Sequence, residues 1–367
     1  MNLKYPAIGV GIMTGTSCDG IDVAIIEVFS GDPFKFKLLK FDTVAFPKSL
    51  SEQLNRIQNW RIHDVSRMHF EIGKMYSSAV EQVITKGNFA RIDFIGCHGQ
   101  TVYHQSRKHT FQIGTPAFLA TKFCVPVVHD FRSKDVALGG TGAPLVPRVD
   151  EILFRNSSEN RICLNVGGIS NVTILSSELK AEIIAFDTGP GMALADRFAE
   201  KLFSNWRNYR WIEDVASCDK INQNLWRMLI THPFIHKPPP KSTGVEEFGD
   251  NFVAKLIEQF PDFRDEPLSW MKTILKFTSW AVHENIRNLQ LWEFSDYRVI
   301  ASGGGIHNKI IWDELTQYFY PNPVDTTEKY GISIDGKEAI AFAILAHETL
   351  CGRTGNITSA TGAEKET

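Results

Sequence analysis

The chain has 367 residues, 43% of them hydrophobic, enough for a sizeable core and, by length, about two domains. Its 39 basic and 42 acidic residues leave a net charge of −3 with no long run of either sign, which argues against a nucleic-acid or membrane-surface protein. There is no apolar stretch of about 18 residues for a membrane-spanning helix, and the N-terminus lacks the basic and apolar regions of a signal peptide, so neither is expected.

The first strong pattern runs from Gly9 to Phe29, where two β-branched apolar runs flank a cluster of Gly, Thr, Ser and Asp. That reads as a hairpin with a small polar tip. Backbone amides at such a tip can form an anion-binding concavity, although an ordinary hairpin turn has the same composition. Phe34–Phe46 adds a strand, and Leu50 to Gly87 carries apolar residues at helical spacing. Ile92–Val102 reads as a buried strand ending in the loop His98-Gly-Gln-Thr101, at the strand end where open α/β sheets hold ligands. His98 alone has the simpler reading of a satisfied core histidine.

Val125–Arg132 repeats the apolar run with a polar end. It is followed by the glycine-rich Leu138–Leu145 and a helix from about Pro147. Arg161–Leu175 is again strand, glycine-rich turn, strand, and looks like a second copy of the opening device. A short strand at Ile183–Phe186 leads into Asp187-Thr-Gly-Pro-Gly191 and a helix near Met192. The proline-rich Thr231–Gly249 is expected to hold no regular structure. Phe252–Leu291 is mostly helical, Tyr297–Asn308 is a strand entering a triple glycine, and Asp335–Leu350 is an apolar helix with Glu338 near its start.

Several familiar chemistries are excluded. No Gly-x4-Gly-Lys-[Ser/Thr] loop occurs, and Gly9-x-Gly11-x3-Gly15 is one residue too long for a dinucleotide fingerprint and leads into a strand. The six cysteines, at 18, 97, 124, 163, 218 and 351, form no Cys-x-x-Cys, which fits reduced cytosolic thiols. His232 and His236 are separated by Pro233, against a metal pair on a helix.

Three glycine-rich turns, each after an apolar strand, stand at Thr14–Gly20, Val166–Ser170 and Ser302–Asn308. Their order resembles the two phosphate loops and the adenosine loop of the actin/hexokinase/Hsp70-type ATPase superfamily. The likeness sharpens with Met13–Asp22, His98-Gly-Gln-Thr101, Asp130-Phe-Arg132, Leu138–Pro147, Asn165-Val-Gly-Gly168, Asp187–Gly191, Pro240-Lys-Ser-Thr-Gly244 and Gly303–Gly305. That set resembles the signature of the anhydro-N-acetylmuramic acid kinase family from about Ile8 to Gly362. Met192 departs from it, standing where the family pattern has Asn.

The resemblance implies an α/β protein of two RNase H-like (actin-like ATPase) domains with a nucleotide cleft between them. The division expected is residues 1–133, 134–355 and a tail 356–367. It implies an ATP- and Mg²⁺-dependent cytoplasmic kinase of peptidoglycan recycling. Such an enzyme opens the ring of 1,6-anhydro-N-acetylmuramic acid with water and phosphorylates O6. The partner is thus a small anhydro amino sugar, with no nucleic acid, no membrane, and a homodimer as an allowed assembly. ATP is expected at Gly15, Thr16, Ser17, Cys18, Asp19, Gly20, Ile21, Asp22, Gly167, Gly168, Gly303, Gly304, Gly305 and Asn308.

The chemistry assigns roles. Water is a poor nucleophile at neutral pH, so a carboxylate should take its proton. Asp187 is that candidate, with a helix N-cap as its other reading. Asp19 is an outer-shell magnesium candidate or a turn-capping residue. Arg132 suits the lactyl carboxylate, or else a surface salt bridge. His98, Gln100 and Glu338 complete the sugar side, Glu338 having helix-terminus charge complementarity as its plain reading. A nucleotide-switched binding protein of the actin or chaperone type is the alternative function. A chaperone would need a peptide-binding domain, and little chain remains after Gly305.

Overall fold

The computed structural model describes residues 3–15, 20–31, 33–54, 57, 60–290 and 296–367. Thr16, Ser17, Cys18 and Asp19 lie outside them. The chain divides into two compact units, residues 1–153 with 330–367, and residues 154–329. The division expected from sequence, at 133/134 and 355/356, differs. The first segment of unit one ends within the helix Val146–Phe154, and the chain returns to that unit at Tyr330, ahead of the helix Lys337–Leu350.

Each unit is built on one five-stranded mixed sheet. In unit one the strands are β1 (Ala7–Met13), β2 (Gly20–Phe29), β3 (Lys35–Ala45), β4 (Phe94–Cys97) and, after the small hairpin of β5 (Gln100–Gln105) and β6 (His109–Ile113), β7 (Val127–His129). Unit two carries β8 (Asn160–Val166), β9 (Ile169–Leu175), β10 (Ile184–Pro190), β11 (Tyr297–Ser302) and β12 (Val324–Thr326). The orders are β3-β2-β1-β4-β7 and β10-β9-β8-β11-β12. In both sheets the first three strands in sequence run antiparallel as a meander, and the last two run parallel to the first. This repeated order is the RNase H-like fold, and the likeness of the two sequence hairpins is a likeness of β1–β2 to β8–β9.

Alternation along β1 sorts its side chains between two layers. Val10 and Ile12 join Val23, Ile25, Ile72, Tyr76 and Val80 in the core under the helix Ile62–Gly87. The opposite face meets the helix Lys337–Leu350. A Cβ on Gly11 would lie 1.8 Å from the Ala339 carbonyl oxygen, and one on Gly96 2.1 Å from that of Phe342. These strand glycines let a helix backbone rest directly on the sheet. In unit two the helix Pro267–Arg287 is buried along most of its length, packed on β9, β10 and the helices Met192–Leu202 and Lys309–Phe319.

Two sequence expectations, on the helical region from Leu50 and on the proline-rich segment, need correction. The helical region from Leu50 is two helices, Lys48–Leu54 and Ile62–Gly87. The strand before His98 ends at Cys97, where the loop is expected, and Gln100 then opens a separate hairpin because Gly99 turns the chain at φ +82°. The Thr231–Gly249 segment holds two one-turn helices, Pro233–His236 and Val245–Phe248. Pro233 sits at the first helical position, where its missing N–H costs nothing. Among the described residues no helix is long and apolar enough to cross a membrane.

Candidate functional site

In unit one two of the predicted sugar-side residues, His98 and Arg132, are bonded to each other. His98 follows β4 and is 3% exposed. Its Nδ1 lies 2.8 Å from the Gly99 carbonyl oxygen, and its Nε2 accepts from Arg132 Nε at 3.0 Å. Accepting at Nε2 fixes the neutral tautomer with the proton on Nδ1. Burial, reinforced by the Arg132 charge, pushes the imidazole down to about 3. Both ring nitrogens are therefore engaged by the protein itself, and His98 acts as a seat for Arg132.

Arg132 follows β7 and its Nη1 donates to the Gly142 carbonyl at 2.8 Å. Among the described residues it makes no ion pair within salt-bridge distance and Nη2 meets no acceptor, so the surface salt bridge is not formed. Burial lowers its basicity to about 10, opposed by the charge of Glu338. Glu338 lies in the first turn of the helix Lys337–Leu350 and is raised by burial, against the pull of Lys337 and Arg132. Gln100 Nε2 reaches the Gly15 and Thr101 carbonyls at 3.4 Å, while its Oε1 is buried with no hydrogen-bond partner. Thr14 Oγ1 donates to the Gly99 carbonyl at 3.2 Å and lies 2.9 Å from the Tyr76 hydroxyl. The start of the first glycine loop is thus tied to the His98–Gln100 turn.

Of the other first-loop residues, Gly20, Ile21 and Asp22 lie on β2. Ile21 is a core side chain, and Asp22 Oδ1 accepts from Thr43 Oγ1 at 2.6 Å.

In unit two Asp187 sits on β10 at a register break before Gly189. Its Oδ2 accepts from the Thr243 backbone N–H at 2.8 Å, and its own N–H donates to the Lys241 carbonyl at 3.2 Å. It does not cap the following helix. Gly191 is the N-cap of Met192–Leu202, and the first amides of that turn bond to the second glycine loop: Gly191 and Ala193 to the Gly168 oxygen, Met192 to that of Gly167. Loop two therefore supplies the cap through its carbonyls, leaving the Asp187 carboxylate to the Lys241–Gly244 segment.

The third glycine turn is tightly constrained. Gly303 has φ +89°, and a Cβ there would lie 2.6 Å from the Val166 carbonyl oxygen; one on Gly305 would lie 2.4 Å from Val166 Cγ1. Gly304 faces open space. Asn308 Oδ1 caps the helix Lys309–Phe319 by accepting from Ile310 and Ile311, while its Nδ2 is buried with no hydrogen-bond partner.

Sequence reasoning missed Lys241, Thr243 and Asp196. Lys241 Nζ donates to the Phe234 and Ile235 carbonyls at 3.0 and 3.1 Å. Burial, with help from Lys237, lowers it to about 8 against the charge of Asp187. Asp196, on the helix after Gly191, is raised to about 6 by burial against Arg197, and its Oδ1 has no hydrogen-bond partner. The Pro240–Gly244 motif was the available signal for the first two. Among the described residues no group of three or more His, Cys, Asp or Glu side chains is gathered to hold a metal ion.

Two RNase H-like units, each with glycine turns at its strand ends, define the class. A model of the anhydro-N-acetylmuramic acid kinase family matches residues 7–367. An anhydro-N-acetylmuramic acid kinase of Bacillus cereus (strain Q1) is 37% identical, with 97% of this chain and 96% of the relative covered. The protein of that name from Bacillus thuringiensis subsp. konkukian (strain 97-27) gives the same identity and coverage. Among solved structures, the activator of 2-hydroxyisocaproyl-CoA dehydratase from Clostridium difficile matches with a TM-score of 0.46 at 10% identity, covering 94% of this chain and 96% of that one, too loosely to carry an argument. The chain belongs to the anhydro-N-acetylmuramic acid kinase family.

Proposed function

We propose that this chain converts 1,6-anhydro-N-acetylmuramic acid, water and ATP to N-acetylmuramic acid 6-phosphate and ADP, in the cytoplasm, as a step of peptidoglycan recycling and amino-sugar metabolism. It is a phosphotransferase with an alcohol acceptor. The observation that carries the mechanism is the anchoring of the Asp187 carboxylate by the Thr243 amide, away from the helix it was free to cap. Family membership over nearly the whole chain leaves the binding-protein alternative without support.

In this reading Asp187 takes a proton from water as the water oxygen bonds to the anomeric carbon. The C1–O6 bond breaks, O6 bonds to the γ-phosphorus, and the bond from that phosphorus to its β-bridging oxygen breaks. Mg²⁺ with the nucleotide supplies electrostatic relief of the phosphoryl charge; Asp19 is the outer-shell candidate for it. Arg132 binds the lactyl carboxylate through the guanidinium edge left open by His98 and Gly142, with Gln100 and Glu338 on the sugar hydroxyls and amide. Gly303–Gly305 and Asn308 hold the adenosine, and Gly15–Asp22 with Gly167 and Gly168 hold the phosphates. Incubation with ATP, Mg²⁺ and the anhydro sugar, followed by mass spectrometry, should show the mass of the sugar rise by one water and one phosphoryl group. A rise by phosphoryl alone, or none, would contradict the assignment.

A further inference from the structure

Residues 356–367 read from the sequence as a tail, yet two of their polar side chains are buried in unit one. Asn356 is 3% exposed and Thr361 1%. Asn356 Nδ2 and Thr361 Oγ1 both donate to Asp135 Oδ1 at 2.7 Å. The Asp135 carboxylate is fully buried, and its Oδ2 accepts from the Gly142 amide at 2.7 Å. The same segment bonds to the glycine-rich loop by backbone: Thr141 N–H to the Thr361 oxygen at 2.8 Å, Glu364 N–H to that of Leu138 at 2.9 Å. Its own end is closed, with the Thr367 N–H on Asn356 Oδ1 and the Gly355 N–H on the Thr367 oxygen, each at 2.8 Å.

Gly142 joins this network to the candidate sugar site. Its amide is fixed by Asp135, and its carbonyl accepts from Arg132 Nη1. Asp135 lies in the one-turn helix Ser133–Ala137, directly after Arg132, so it holds both the residue's own segment and the loop the guanidinium rests on. A Cβ on Gly140 would stand 2.2 Å from Asp135 Oδ2, so the loop closes tightly around the carboxylate. Every side-chain bond to it comes from a neutral donor among the described residues. A carboxylate buried without a cation is held by hydrogen bonds alone, and losing one disturbs the whole set.

We infer that the C-terminal segment is a positioning strap for substrate recognition: Asn356 and Thr361, through Asp135 and Gly142, set the guanidinium of Arg132 for the sugar carboxylate. This rests on the reading of Arg132 given above. Asp135, Asn356 and Thr361 are positioning residues, acting through the loop as outer partners orient a ligand-binding group.

The test is a steady-state comparison of Thr361→Val, Thr361→Ser and Arg132→Lys with the parent. Valine keeps the shape of threonine and removes the donor to Asp135; serine restores it. The strap predicts that Thr361→Val raises the KM for the anhydro sugar about tenfold. The KM for ATP and the kcat at saturating sugar should stay close to the parent's, and Thr361→Ser should recover the sugar KM. A Thr361→Val protein with lowered thermal stability but unchanged sugar KM would overturn the strap. So would equal damage to both KM values. Arg132→Lys separates the two layers: an unchanged sugar KM there removes the reading of Arg132 itself, and the strap with it. Asn356→Ala should show the same split, and decides the matter if Thr361→Val yields no folded protein.

Discussion

At the scale of single residues, what each polar atom is already bonded to decides its role. Asp187 accepts from the Thr243 amide, and an asparagine oxygen can accept there equally well. Asp187→Asn should therefore keep a near-parental Tm while losing the ability to take a proton. A general base contributes about 10²–10⁴-fold, so kcat should fall at least about a hundredfold. A kcat within a few-fold of the parent would place the base elsewhere. His98 carries a different expectation. Its folded value of about 3 lies well below the 6.5 of a free imidazole, so its neutral form is the folded one. The stability it contributes is complete above about pH 6.5 and is lost as pH falls towards 3, because only the unfolded chain gains the proton. The slope is at most about 1.4 kcal/mol per pH unit. His98→Gln should show a flatter fall of Tm below pH 6 than the parent in paired melting curves; parallel curves would mean that His98 is not held neutral.

At the scale of elements the strand glycines decide the packing. Gly9, Gly11 and Gly15 are spaced almost as a dinucleotide fingerprint, yet Gly11 is a landing place for a helix and Gly9 faces the Phe94 ring. Gly96→Ala would drive a methyl group to 2.1 Å from the Phe342 carbonyl, against backbone that cannot rotate away. A cost of about 1–3 kcal/mol is expected for such overpacking, read as a lower denaturant midpoint at unchanged slope. An unchanged midpoint would show that the helix Lys337–Leu350 moves freely on the sheet. The β1–β2 and β8–β9 hairpins were legible because long apolar runs flank obvious turn residues. The three-residue strand β12 and the one-turn helices near Pro233 and Val245 were not, since elements that short complete no period. The cap of Met192–Leu202 was also hidden: carbonyls of a glycine loop carry no side-chain signature.

At the scale of the molecule, duplication was visible as two similar hairpins, and the structure extends it to two sheets of identical order. The return of the chain to unit one after residue 329 was not visible. An apolar helix shows which of its faces is buried and says nothing about which sheet it covers. For the same reason the terminal segment read as a tail, although Asn356 and Thr361 are buried on Asp135. Among the residues assigned to the sugar, Arg132 and Glu338 influence each other electrostatically although 206 positions separate them in sequence. The central claim is that one chain couples addition of water at the anomeric carbon to phosphorylation of O6. The most direct measurement is the reaction run in ¹⁸O water with ATP, Mg²⁺ and 1,6-anhydro-N-acetylmuramic acid, with the products fragmented by mass spectrometry. ¹⁸O is expected on the anomeric carbon of the sugar 6-phosphate and none in its phosphate group. Label in the phosphate, or in free phosphate with the anhydro ring intact, would contradict it.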